Sequence, residues 1–206
     1  MPPGHRRTGG KTLAKVAVVY HSGFGHTARV AEAVANGARS VQGTEVALLN
    51  VDEVQANWEK LDQADAIIFG APTYMAGVSA QFKAFIDAAG GRWFSQTWKN
   101  KLAAGFTNSG SLSGDKFNTL AQLWANAMQH GMVWVSLGLL PPHVTGTNQS
   151  SRNDLNRVGS FGGVMTQSNN ESSTEHPSEG DLLTGEHLGK RVATFATNWA
   201  AEAKVA

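Results

Sequence analysis

Val16-Ala17-Val18-Val19-Tyr20-His21-Ser22-Gly23-Phe24-Gly25-His26-Thr27 is an apolar run that breaks into a glycine-spaced polar turn. The unbroken run 16–20 suits a strand buried on both faces, as in a parallel sheet covered by helices. Immediately afterwards Val30, Ala33, Val34, Ala38 and Val41 recur at helical spacing and share one face. Strand, glycine turn and helix in that order are the opening unit of an α/β domain. The alternation continues outward. Residues 46–49, 66–69, 102–106 and 132–135 are further apolar runs that predict strands. Between and after them lie helical stripes: Phe82, Phe85, Ile86 and Ala89; Leu120, Leu123, Trp124, Ala127 and Met128; Leu188, Val192, Phe195 and Trp199. Residues 54–61 supply the remaining crossover as one or two turns of helix. The pattern predicts an open α/β sheet with helices on both faces.

Composition narrows the chemistry. The chain has 206 residues, enough for one large domain, and 16% are charged, against roughly 25% in ordinary soluble proteins. With no cysteine, disulfides, thiolate-held metals and a thiol nucleophile are excluded. No histidine pair has metal-ligand spacing, so no metal is expected. Seventeen basic against sixteen acidic residues argue against nucleic acid as a partner. No apolar run reaches the length of a membrane span, and the start lacks the core of a signal peptide, so a cytoplasmic protein is expected. Residues 1–14, rich in Gly, Pro, Arg and Lys, read as a flexible extension; residues 15–206 read as one domain. Residues 138–184 read as a long loop, functional because it follows the carboxyl end of a strand.

In doubly wound sheets ligands bind beyond the carboxyl ends of the strands, which directs attention to three loops. Ser22, Gly23, Phe24, Gly25, His26 and Thr27 precede a helix whose first N–H groups are unpaired and attract anions. The loop is either a phosphate cradle without a fixed cation or a glycine turn capped by Ser22 or Thr27; its placement favours the cradle. It carries neither the Walker ending nor the Gly-x-Gly-x-x-Gly dinucleotide spacing. Pro72, Thr73, Tyr74 and Met75 follow the third strand and either face a planar ring or merely shelter the sheet end. Asn108, Ser109, Gly110, Ser111, Leu112 and Ser113 can hydrogen-bond the edge of a heterocycle, or form a plain polar loop. His130, at a helix carboxyl end, either compensates the helix dipole or faces the crevice as a proton donor or acceptor.

Taken together, residues 20–27, 69–74, 79–87 and 129–133 resemble the flavodoxin-like fold, and within it the WrbA family of FMN-dependent NAD(P)H:quinone oxidoreductases. The resemblance runs from about Val16 to Gly138. It implies a five-stranded parallel sheet of order 2-1-3-4-5 in three layers, and one FMN per subunit. Ser22 to Thr27 would hold the phosphate, and Thr73, Tyr74, Met75 and Asn108 to Ser113 the ring. His130 would lie beside the flavin as the catalytic residue, and Phe24 and Trp93 would line the substrate cavity. The implied activity is two-electron transfer from NAD(P)H to a quinone by a homo-oligomer, a dimer or the family's tetramer. The alternatives are an electron-carrier flavodoxin and a non-catalytic flavin-binding protein. The chain departs from the family in having Tyr74-Met75 for an Arg-Phe pair and Ser111-Leu112-Ser113 for a glycine-rich run.

Overall fold

Residues 13–145, 151–169 and 172–202 are described by the structure, a computed structural model. The chain opens with strand β1 (Ala14–Tyr20), helix α1 (His26–Arg39) and strand β2 (Thr44–Asn50). A 3-10 turn at Val51–Ala56 and the short helix α2 (Trp58–Asp62) cross over to β3 (Ala66–Tyr74). The two-residue strand β4 (Gly77–Val78) folds back on β3, and α3 (Ala80–Ala88) and α4 (Gly90–Phe94) lead to β5 (Leu102–Ser109). Helix α5 (Lys116–Gln129), β6 (Val133–Trp134), α6 (Pro142–Thr145), β7 (Val164–Gln167) and α7 (Glu179–Glu202) complete the described chain. Of the extension expected over residues 1–14, residues 1–12 lie outside the described residues, and β1 already begins at Ala14.

The sheet order is β2-β1-β3-β5-β6, and all of these pairs are parallel. With the hairpin strand β4 set aside, this is the expected 2-1-3-4-5. Alternation along each strand sends successive side chains to opposite faces. Val16, Val18, Ile68, Ala104 and Phe106 join α1 and α7 in one core. Ala17, Val19, Ile67, Phe69 and Ala103 join α3 and α5 in the other. Helices α1 and α7 approach through glycine: a methyl group on Gly189 would lie 1.8 Å from the Val34 carbonyl oxygen.

The structure corrects two expectations. The fifth strand is made of two pieces. Only Val133 and Trp134 pair with the lower half of β5, while Val164 to Gln167 pair with Phe106 to Ser109 in its upper half. Between them the chain leaves the sheet near Gly138, which has φ +70°. Residues 138–184 are therefore not one structureless loop, since α6, β7 and the start of α7 fall within them. The helical stripes also drift. Leu120, Leu123, Ala127, Leu188 and Val192 are buried, but Trp124, Met128, Phe195 and Trp199 stand exposed on the outer side.

Candidate functional site

A cleft of ≈ 700 Å³ opens at the carboxyl ends of β1, β3 and β5, where the strand order reverses. Its floor is the turn from β1 into α1. Gly25, at φ +86°, forms the helix N-cap and supplies no side-chain cap to the first N–H groups of α1. A methyl group on Gly25 would lie 2.8 Å from the Ser173 hydroxyl; both conformation and space require glycine here. Ser22 lines the cleft, and its Oγ is buried without a hydrogen-bond partner. Among the described residues no lysine or arginine lines the cleft. Arg29, in the first turn of α1, donates instead to the Ser173 and His176 carbonyls at 2.7 and 3.4 Å, tying the late segment over the helix end.

Behind this turn, buried His21 bonds the Ser79 hydroxyl through ring Nδ1 at 2.8 Å, and its backbone N–H donates to the Gly70 carbonyl. Burial lowers the His21 pKa below its ordinary 6.5, with Asp52 pulling weakly the other way. A neutral histidine thus braces β1 against the start of α3.

The wall from β3 is fixed by a buried trio. The Thr73 hydroxyl shares hydrogen bonds of 2.8 Å with those of Thr107 and Thr119. Met75 and Ala76 then make the β3–β4 turn with φ +46° and +66°. Both sit in the left-handed region, which costs an L residue about 1–2 kcal/mol. Met75 stands fully in solvent, and Tyr74 leans over the floor, its hydroxyl 2.6 Å from where a Gly23 methyl would stand. Phe24 meets the Tyr74 ring edge-on at 6.4 Å. Burial raises the Tyr74 phenol pKa, against the pull of a hydrogen bond with the Gly23 backbone, so the phenol keeps its proton.

The third wall is held from behind. Asn108 Oδ1 accepts from Thr166 Oγ1 at 2.8 Å and Ser168 Oγ at 2.9 Å, clasping β5 to β7. Gln167 donates to the Gly110 carbonyl at 3.2 Å. Arg157 and Asp181 pair at 2.8 and 2.7 Å, and Asp181 also accepts from the Gln167 N–H. Lys116, 1% exposed, donates from Nζ to the Ser111, Leu112 and Ser113 carbonyls. Burial pulls its pKa down to about 8.

Most of the sequence-predicted residues converge. Ser22, Phe24, His26, Thr27, Pro72, Thr73, Tyr74, Asn108, Ser109 and Gly110 line the cleft. Met75 and Ser111 line an adjoining cleft of ≈ 500 Å³, which shares Thr73, Ser109, Gly110 and Asn169 with the first. Gly23 and Gly25 shape the floor. Leu112 and Ser113 line neither cleft; their carbonyls turn to Lys116.

His130 and Trp93 are not brought to the cleft. His130 caps the carboxyl end of α5, and the carbonyl of neighbouring Gly131 accepts from Asn100, just before β5. That is the amino end of the sheet. There His130 is buried, 4.5 Å from the Trp98 ring centre, with no partner at Nδ1, and burial lowers its pKa. Trp93 lies in α4, beyond the carboxyl end of α3, and lines neither cleft. Neither residue lines the cleft of its own chain, because a crossover helix starting near the ligand end of a parallel sheet finishes at the other end.

The sequence reading missed Ser168, Asn169, Ser172 and Ser173, which line the cleft opposite Ser22, and it missed Lys116 and His21. The signal for the serines lay in the polar run following Val164-Met165-Thr166, once that is read as a strand.

Residues 43–140 match the family described as NADPH-dependent FMN reductase. The chain is 44% identical over 185 residues to flavodoxin FldP of Pseudomonas aeruginosa (strain UCBPP-PA14), covering 88% of this chain and 96% of that one. Among solved structures, the flavodoxin, WrbA-like protein from Agrobacterium tumefaciens is 43% identical, with a TM-score of 0.70, over 90% of this chain and 98% of that one. A flavodoxin from the domain Archaea has a TM-score of 0.61 at 21% identity over 88% of this chain and 98% of that one, a likeness of fold alone.

Proposed function

Because the chain belongs to the flavodoxin-like, WrbA-type family of FMN-binding oxidoreductases, we propose that it transfers two electrons from NAD(P)H to a quinone through FMN held in this cleft. The observation that carries the reading is the floor of the cleft. A helix N-terminus without a side-chain cap and the residue Ser22, whose buried hydroxyl has no partner, border a space lined among the described residues by no lysine or arginine. A phosphate monoester fits that donor set, since its oxygens accept from N–H and hydroxyl groups alike.

In this reading Ser22, Thr27 and the first N–H groups of α1 bind the phosphate, and Ser172 and Ser173 cover it. Pro72, Thr73, Tyr74 and Met75 flank one side of the ring; Asn108 to Ser111, with Ser168 and Asn169, flank its polar edge. Bound FMN supplies the capacity to accept a hydride and to pass on its electron pair. Phe24 and Tyr74, exposed at the mouth, offer apolar surface on which a nicotinamide and then a quinone can stack. The neutral Tyr74 phenol keeps a hydroxyl proton available for hydrogen bonding there. His130 does not line this cleft in its own chain, and hydride transfer to the flavin does not require an acid from the protein.

The test is NAD(P)H oxidation by FMN-loaded protein with benzoquinone as acceptor. Turnover that depends on the quinone is expected, and flavin-loaded protein without it overturns the proposal. A second reading, the electron carrier, is favoured by the flavodoxin relative. Against it stands the near-neutral charge of +1, since acidic surfaces steer such carriers to basic partners. Stepwise one-electron uptake with no NAD(P)H activity would establish the carrier. A homo-oligomer is part of the proposal, supported by the exposed aromatics Phe94, Phe117 and Trp124; a monomer by sizing chromatography would remove it. Among the described residues no helix is long and apolar enough to cross a membrane, and a cytoplasmic location is proposed with the rest.

A further inference from the structure

Resting on that reading, we infer that Lys116 is a positioning residue that shapes the loop along the flavin's polar edge and favours the reduced form of the cofactor over the oxidised one. The ammonium gathers three successive carbonyls, from Ser111, Leu112 and Ser113. In trans peptides the N–H points opposite to the C=O, so the N–H groups of Leu112, Ser113 and Gly114 are turned away from it. Of the residues whose N–H groups are so turned, Gly114 lines the adjoining cleft, as does Ser111, while Leu112 and Ser113 line neither cleft. The loop therefore presents donors outward because a cation collects its acceptors inward.

Neutral donors could satisfy three carbonyls, so the charge needs its own explanation. Among the described residues no carboxylate forms an ion pair with Lys116. Asp181, the carboxylate whose field acts on Lys116, is already engaged by Arg157. A cation buried without a counter-charge is costly, and the cost is recovered if negative charge arrives nearby. Hydride from NAD(P)H adds to the neutral oxidised ring and, with N1 left unprotonated near neutral pH, the reduced ring would carry a net negative charge; passing the electron pair and the added proton on to a quinone would remove it. Charge near N1 is one of the means by which proteins set flavin electronics. The neutral phosphate cradle and the charged loop thus divide the work: the first holds FMN in either state, the second discriminates between states.

The test compares Lys116→Met, Lys116→Gln and Lys116→Arg with wild type, titrating each apoprotein with oxidised and with dithionite-reduced FMN. For Met and Gln the affinity for reduced FMN should fall on the order of tenfold more than that for oxidised FMN, equivalent to a midpoint potential lowered by about 30 mV for the two-electron couple. Arg should retain most of the wild-type ratio. Equal weakening of both states in Met and Gln, or an Arg variant whose ratio matches theirs, assigns Lys116 a merely structural role and overturns the inference. Wild-type protein that takes up neither form of FMN would overturn the reading beneath it instead.

Discussion

Ser22→Ala should act in opposite directions on the free and the FMN-bound protein. In the free protein the Ser22 hydroxyl is buried and makes no hydrogen bond. An unsatisfied buried hydroxyl costs about 1–3 kcal/mol. Its removal leaves a space of one oxygen atom, so part of that gain is lost to poorer packing. The net expectation is apoprotein stabilised by about 1 kcal/mol, raising Tm by about 2–4 °C in a domain of this size. Binding reverses the sign. If the hydroxyl donates to a phosphate oxygen, the lost bond is one to a charged group, worth about 1.5–3 kcal/mol, or roughly 10- to 100-fold in Kd. Urea melts of apoprotein and fluorescence titration with FMN measure both on the same sample. An apoprotein made less stable by the substitution, with FMN affinity unchanged, would show that the hydroxyl is not waiting for an anion.

Other substitutions test the scaffold around the cleft. Ala76→Gly relieves the φ of +66° in the β3–β4 turn and should stabilise the fold by about 0.5–1 kcal/mol in urea unfolding; a loss would mean that the turn carries no strain. Gly189→Ala drives a methyl group to 1.8 Å from the Val34 carbonyl and should cost about 1–3 kcal/mol. Gly90→Ala meets nothing within 4 Å and should be neutral or stabilising by up to about 1 kcal/mol; equal effects at the two sites would refute the close approach of α1 and α7. Burial lowers the pKa of His21, His130 and His187 below 6.5. Between the folded values and 6.5 the unfolded chain therefore binds more protons, and stability rises with pH across that interval. The urea midpoint should fall as pH drops from 7 to 5, and less steeply in His130→Phe; a midpoint that rises on acidification would contradict the buried, neutral histidines.

The central strands were legible because β1, β3 and β5 are buried on both faces and read as unbroken apolar runs. The edge was not. Val164-Met165-Thr166-Gln167 is only four residues, two apolar followed by two polar, with no alternation of residue type to mark it, and it becomes a strand through its register with Phe106 to Ser109. The floor of the cleft was legible since glycines between an apolar run and a helix have few other uses. The opposite wall was not, because Ser168, Asn169, Ser172 and Ser173 reach the cleft only once β7 is paired. Lys116 was hidden by its residue type, since lysine is rarely buried and reads as the solvent face of an amphipathic helix. The place of His130 at the amino end of the sheet follows from helix direction. Fourteen residues of α5 carry the chain about 21 Å away from the ligand end of the sheet.

The most direct test of the central claim is one anaerobic titration of the FMN-loaded protein followed by absorbance. The flavin band at about 450 nm should bleach with one equivalent of NADPH or NADH and return in full with one equivalent of benzoquinone. Purified protein that takes up no FMN, or a band that neither nicotinamide bleaches, would contradict the account.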